Sequence, residues 1–327
     1  MRYSSKQINA YVADGNLNKL ISFSEEKHAL QMEMLLKRIF NEADNNSSED
    51  FTDAIMITGP SASGKTTFSN NLAKILDKHG YNSTVVSFDD YFLDREVIQR
   101  NQIAKGFDPL KGEDFDYETI ETVDVEYFRY QMKQYTSGES VELPRYDFVT
   151  GTRAKTGRVI KSTHRDVIIL EGIHAFSPGL CDGLGFHNAL KVYICPFDEY
   201  EVDAPIAPLS MTHMLTPPQI RFMRRAIRDR VKRNAPLGRT LEMWKGVIRG
   251  EKAYMEPIVK YTDLFFNSSL TYELVYLSKK MLDILDESTP EEYEKFSHII
   301  DPRLLAAFEG TDTLQIPENS IFNEFYL

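Results

Sequence analysis

Residues Gly59-Pro60-Ser61-Ala62-Ser63-Gly64-Lys65-Thr66 follow the pattern G-x-x-x-x-G-K-[ST], which is built to hold a chain of phosphates. In such a loop the backbone N–H groups and the start of the following helix converge on one point, where partial positive charge favours an anion. Lys65 adds a full charge for the outer phosphates, and the Thr66 hydroxyl is a hard oxygen suited to Mg²⁺. Gly59, Ser61, Ala62, Ser63, Gly64, Lys65, Thr66 and Thr67 are therefore the candidate nucleotide-binding residues, with ATP and Mg²⁺ as the implied cofactors.

The motif has meaning only between a strand and a helix. Ala54-Ile55-Met56-Ile57-Thr58 reads as a buried strand, and Thr67 to Leu76 carries apolar residues at helical spacing before Gly80. Ser83 to Phe88 reads as a second strand ending at Asp89-Asp90, and Asp166 to Leu170 as a third ending at Glu171. Lys191–Cys195 and Leu264–Asn267 read as further strands, with a helix from about Tyr272 to Leu285. Val141 to Ile160 has the pattern of a protruding hairpin with Gly151 near its tip. Thr216-Pro217-Pro218-Gln219 is a capping box that starts a helix.

Buried strands alternating with helices imply an α/β phosphate-loop fold: a parallel sheet of about five strands, covered on both faces. A hairpin and an arginine-rich helical lid project from it. The domain plan expected is a helical appendage and linker over 1–50, with helical periodicity from Glu26 to Ile39 and a polar linker over 41–50. A kinase-type domain would follow over 51–286, and a C-terminal extension over 287–327.

In an open parallel sheet the ligand lies beyond the carboxyl ends of the strands, where Asp89, Asp90 and Glu171 fall. One carboxylate there can hold Mg²⁺ opposite Thr66, and a second can accept the proton of an attacking hydroxyl. Between Arg221 and Lys252 eleven basic residues stand against three acidic ones, in a chain whose formal net charge is −11. Arg221, Arg224, Arg225 and Arg228 recur at helical spacing, so they read as a clamp for polyanionic phosphate, with Arg230 and Arg239 as bystanders. The overall acidity argues against a nucleic-acid partner. No apolar run reaches membrane-span length, and Met1 to Lys6 lacks a signal-peptide core. Cys181 and Cys195 have no metal-ligand spacing and read as reduced thiols, which points to the cytoplasm.

Taken in order, the phosphate loop, Ser87-Phe88-Asp89-Asp90-Tyr91-Phe92, Phe115-Asp116, Leu143-Pro144-Arg145-Tyr146-Asp147-Phe148, Arg153, Ile169-Leu170-Glu171-Gly172 and the arginine helix resemble the uridine kinase and phosphoribulokinase branch of phosphate-loop kinases. The likeness is strongest to bacterial uridine kinase-like nucleoside kinases. It implies transfer of the γ-phosphoryl group of ATP to the 5′-hydroxyl of a nucleoside, with Asp89 as the base. It further implies that Asp116 holds ribose hydroxyls, that Tyr146 packs near the nucleobase, and that Thr66 and Glu171 organise Mg²⁺. Tyr91, Arg153, Arg221 and Arg228 fall to the acceptor side, and Arg224 and Arg225 to the phosphates. Residues 229 to about 250 would form a mobile lid, and an oligomer is expected. Gly151 stands where pyrimidine kinases of this type carry a base-reading histidine, so another small-molecule alcohol, such as a sugar phosphate or a pantothenate-like acid, is the alternative acceptor. A non-catalytic nucleotide switch is the remaining reading, but the chain has no Asn-Lys-x-Asp motif.

Overall fold

The computed structural model describes residues 2–44, 52–111, 115–163, 166–203 and 213–326. Its centre is a five-stranded sheet in which every neighbouring pair is parallel. The spatial order is Leu264–Asn267, Ala189–Cys195, Ala54–Thr58, Asp166–Glu171, Asn82–Ser87, so the phosphate-loop strand lies in the middle.

The two-residue period of the strands explains how both faces are covered. Ile55, Ile57, Val167 and Ile169 pack on one face against Phe68, Leu72 and Leu76 of the helix Lys65–Lys78. Their alternates Ala54, Met56, Ile168 and Leu170 pack on the other against Phe88, Phe128 and Met132. A strand buried on both sides needs apolar residues at every position, which is why these segments read as continuous apolar runs.

The hairpin is present as Ser140–Asp147 paired antiparallel with Thr152–Lys161. The capping box at Thr216 opens the helix Pro217–Lys232, and a second helix, Leu237–Gly250, follows. The latter overlaps the expected lid, yet Leu237, Leu241, Trp244 and Val247 are buried in the core, with the Trp244 ring at 5.3 Å from that of Phe222.

Two boundaries differ from expectation. The N-terminal segment is a short strand, Arg2–Ser4, a helix, Ser5–Ala13, and a long helix, Leu17–Asp44, whose Leu35 and Ile39 join the cluster around Phe68 and Ile55. The long helix is a covering layer of the sheet rather than an appendage, because the apolar spacing from Glu26 to Ile39 supplies a face for the sheet. Of the expected linker, positions 45–50 lie outside the described residues. The C-terminal extension likewise belongs to the core: Phe322 and Phe325 are fully buried with Tyr272 and Tyr276. Among the described residues no helix is long and apolar enough to cross a membrane.

Candidate active site

The carboxyl ends of the three strands Ala54–Thr58, Asp166–Glu171 and Asn82–Ser87 open on one cavity of about 1310 Å³. The phosphate loop from Ser61 to Thr67, Asp89, Glu171, Tyr146, Arg225 and Arg228 all line it. Gly59 lets the loop leave the strand, since a Cβ there would run into the carbonyl oxygen of Ile194. Ala62 is held in the left-handed region at φ 59°. A non-glycine residue pays roughly 1–2 kcal/mol for that conformation, and the surrounding contacts must hold it.

Those contacts come from the arginine helix. Arg221 Nη1 donates to the Ser61 carbonyl at 3.2 Å, Arg224 Nη1 to the Ala62 carbonyl at 3.3 Å, and Arg225 Nη1 to Ser61 Oγ at 2.7 Å. The helix therefore grips the loop through two carbonyls and the Ser61 hydroxyl, and none of these contacts uses a loop N–H group. Lys65 Nζ folds back on the carbonyls of Gly59 and Pro60, at 2.8 and 3.1 Å.

One hydroxyl links the two strand-end acids. Ser87 Oγ donates to Glu171 Oε1 at 2.6 Å and accepts from the backbone N–H of Asp89 at 3.3 Å. Thr66 Oγ1 lies 3.5 Å from the same Glu171 oxygen. Burial, and secondarily the Asp89 charge, pushes the Glu171 carboxyl up to about 7. Burial also raises Asp89, against the opposing pull of Lys65, Arg233 and Arg228. Glu118, absent from the sequence-based candidates, lines the same cavity and is pushed up to about 7 by burial.

The hydroxyl of Thr66 beside the buried Glu171 carboxyl is an oxygen donor set that fits a hard divalent cation. Among the described residues no group of three or more His, Cys, Asp or Glu is placed to hold a metal. The remaining ligands of a Mg²⁺ at Thr66 and Glu171 would therefore be phosphate oxygens and water, as is usual for Mg–nucleotide sites.

The raised Glu171 carboxyl carries a prediction. With a folded value of about 7 against an ordinary 4.5, the ligand-free protein holds a proton that the unfolded chain has released between those pH values. Glu171 therefore contributes stability at low pH that is lost as pH rises towards 7, by up to about 1.4 kcal/mol per pH unit for one proton. Melting curves from pH 5 to 8 are expected to show wild type losing stability relative to Glu171→Gln across that window. Parallel curves would refute the assignment.

The acceptor side of the cavity is aromatic. Tyr146 meets Phe92 and Phe148 edge-on, with ring centroids 5.5 and 5.2 Å apart, and its backbone N–H donates to Asp90 at 3.1 Å, tying the hairpin to the Asp89 turn. Gly151 has φ +76° and donates its N–H to the Asp147 carbonyl, and a Cβ there would come within 2.7 Å of the Arg95 guanidinium carbon. The position thus has neither the backbone conformation nor the space for a side chain. Gly151→Ala is expected to cost roughly 1–3 kcal/mol in urea unfolding, from the left-handed backbone and the displaced Arg95. A cost below 0.5 kcal/mol, order-of-magnitude for a neutral surface change, would show that the turn relaxes freely.

Several expected site residues are engaged elsewhere. Arg224 is fully buried, with Nε and Nη2 on the carboxylate of Glu273 at 2.6 and 2.9 Å, so it braces the loop instead of meeting phosphate. Arg221 Nη2 pairs with Glu251 at 2.8 Å, and the guanidinium lies 5.7 Å from the centre of the Trp244 ring. Arg153 pairs with Asp124 at 3.0 Å and stacks on Tyr127. The Asp116 carboxylate accepts from the Tyr254 hydroxyl at 2.6 Å and from the Glu118 N–H at 2.9 Å, which fixes the loop presenting Glu118. All four lie off the cavity wall. Tyr91 borders the cavity, but it is buried and donates its hydroxyl to Gln131 at 2.8 Å. Of the two expected bystanders, Arg230 pairs on the surface with Glu287, whereas Arg239 lines the cavity.

Arg225, Arg228 and Arg233 converge on one carboxylate, Asp229, at 3.4, 3.3 and 3.2 Å. Asp229 holds three guanidinium groups together beside the loop, where phosphate charge would otherwise be their partner. Arg95, Arg233, Glu118 and Glu324 are cavity residues that sequence reasoning missed. Arg233 was legible as the continuation of the arginine periodicity. Glu118 follows Phe115-Asp116 by two residues, and nothing in the spacing marks Glu324.

Residues 54–204 match the Phosphoribulokinase / Uridine kinase family. A uridine kinase of Macrococcus caseolyticus is 27% identical over 214 residues, which span 65% of this chain and 86% of the relative. One of Staphylococcus aureus strain JH9 is 26% identical over the same coverage. Among solved structures, one described as a possible uridine kinase from Bacillus stearothermophilus covers 71% of this chain and 99% of its own, at 23% identity and a TM-score of 0.40. A D-glycerate 3-kinase from Cryptococcus neoformans covers 85% and 87%, at 14% identity and a TM-score of 0.36. The chain is a kinase, and its residues 54–204 are similar to the Phosphoribulokinase / Uridine kinase family.

Proposed function

We propose that the protein transfers the γ-phosphoryl group of ATP to the hydroxyl of a small-molecule alcohol seated between Asp89 and the aromatic wall of Tyr146 and Phe92. The observation that carries this reading is that Lys65, Thr66, Glu171 and Asp89 share one cavity. The loop N–H groups and Lys65 bind the triphosphate and aim its terminal group across the cavity. Asp89, close enough to feel the Lys65 charge, takes the proton of the attacking hydroxyl. Arg225 is placed to offset charge that builds on the transferring and leaving groups, while Arg228 is held by Glu324 and Asp229. Mg²⁺, when bound at Thr66 and Glu171, supplies charge neutralisation of the phosphates.

A nucleoside 5′-hydroxyl is the first acceptor to test, because Tyr146 and Phe92 put aromatic surface on the acceptor side of the cavity, and because the curated relatives are named uridine kinases. A second reading rests on separate evidence. Arg145, Arg158 and Arg239 line the cavity with no ion pair among the described residues, which suits an alcohol carrying a phosphate or carboxylate. Incubation with Mg-ATP and a panel of nucleosides, sugar phosphates and hydroxy acids, followed by ADP release, separates these. Turnover confined to nucleosides supports the first, and turnover confined to anionic alcohols the second. No acceptor-dependent ADP release with any member would refute the kinase assignment for small alcohols.

A further inference from the structure

The final turn of the chain, Ile321–Glu324, sits on the phosphate loop itself. The Ile321 side chain covers Gly64 so closely that a Cβ on that glycine would collide with it. The Asn71 side-chain amide donates to the Asn319 carbonyl at 2.6 Å, and Lys232 Nζ donates to the carbonyls of Asn323 and Glu324 at 3.1 and 2.7 Å. Behind the turn, Phe322 and Phe325 are fully buried. The turn is a fixed wall, anchored on the loop helix and on the arginine helix at once.

This wall carries a carboxylate. Glu324 lines the cavity, with Oε1 on Arg228 Nη1 at 3.0 Å and Oε2 facing Thr67 Oγ1 at 3.5 Å. Thr67 lies one residue beyond Thr66, away from the Lys65 end of the loop. Outer phosphates at Lys65 leave the Thr67 side of the cavity open to the nucleoside half of a nucleotide. A carboxylate held in such a place repels phosphate but is a strong acceptor for hydroxyl groups. We propose that Glu324 binds the ribose hydroxyls of the donor nucleotide, making the C-terminal turn a subsite that selects a ribonucleotide. The inference rests on the loop holding a nucleoside triphosphate, as in the function proposed above.

The test is equilibrium binding of ATP, 2′-deoxy-ATP and 3′-deoxy-ATP with Mg²⁺ to the full chain, by calorimetry. Wild type is expected to bind at least one deoxy analogue about tenfold more weakly than ATP, the size of one lost hydrogen bond to a charged group. In Glu324→Ala the three nucleotides bind alike, because ATP loses what the analogue already lacked. Should Glu324→Ala melt out, Glu324→Gln keeps the volume and is expected to reduce the discrimination at least threefold. Unchanged discrimination in the variants, or equal binding of all three by wild type, overturns the proposal. Tighter ATP binding by Glu324→Ala also overturns it, and would mark the carboxylate as a competitor of phosphate for Arg228. Failure of wild type to bind any of the three would instead remove the nucleotide reading beneath it.

Discussion

Asp89→Asn is expected to lower kcat by roughly 10²–10⁴-fold while ATP binding is retained or tightened, since positioned proton transfer contributes an effect of that size. Asparagine keeps the shape of the side chain and its place in the turn, whose geometry is set by the backbone N–H of residue 89 bonding to Ser87 Oγ. What is lost is a proton acceptor and a negative charge. The charge lies close enough to Lys65 that its removal lessens repulsion of the triphosphate, so Kd for ATP should not rise. Steady-state kinetics with the active acceptor, alongside calorimetric ATP titration, reads both quantities. Turnover within threefold of wild type, well short of that order-of-magnitude loss, would take Asp89 out of the chemistry.

The second large effect falls on stability. Arg224→Ala is expected to destabilise the fold by roughly 3–5 kcal/mol, because it leaves the Glu273 carboxylate buried without its partner. Both side chains are fully buried, and Arg224 Nη2 also donates to the Ser268 carbonyl at 2.8 Å. Replacing the pair together, Arg224→Met with Glu273→Leu, should recover much of the loss, as apolar substitutes for buried ion pairs often do. Urea unfolding of the single and double variants measures this. Arg225→Ala provides the contrast: its guanidinium faces the cavity, so the expected loss is roughly 10²-fold in kcat, the usual cost of removing one charge-stabilising donor. A stable Arg224→Ala protein with a selective kcat defect would reverse the division of labour between these neighbours.

That division shows where sequence reasoning reaches and where it stops. The strand–loop–helix around Lys65, the acids at two strand ends, the hairpin and the capping box at Thr216 were all legible, because each depends on local spacing and local backbone chemistry. The partners of the arginines were not. Arg221, Arg224, Arg225 and Arg228 look equivalent along one face of a helix, yet their side chains are divided among Glu251, Glu273, Ser61 and Glu324. Glu273 and Glu324 come from segments far along the chain, and no periodicity marks them as neighbours of the loop. The same cause hid the exchange at Asp116 and Glu118. Phe115-Asp116 is legible as a motif, but the Tyr254 hydroxyl that engages Asp116 comes from beyond the helix Leu237–Gly250. The N-terminal helix was recognised by its period and misplaced in the domain plan, since an amphipathic stripe does not say which surface it covers.

The fold also explains why so many charges can be gathered at one site. Asp229 at the centre of three arginines and Ser87 between two acids keep like charges in register before any ligand arrives. Burial pushes the Glu171 and Glu118 carboxyls upward on the acidic side, and the nearby Asp89 charge adds to it. A triphosphate with its cation brings the opposite charge to each cluster.

The most direct test is a crystal structure with a non-hydrolysable ATP analogue, Mg²⁺ and whichever acceptor supports turnover. The expected result is a triphosphate in the Ser61–Thr67 loop and the acceptor hydroxyl between the Asp89 carboxylate and the terminal phosphorus. Phosphates bound away from Lys65, or an acceptor hydroxyl turned from Asp89, would contradict the account.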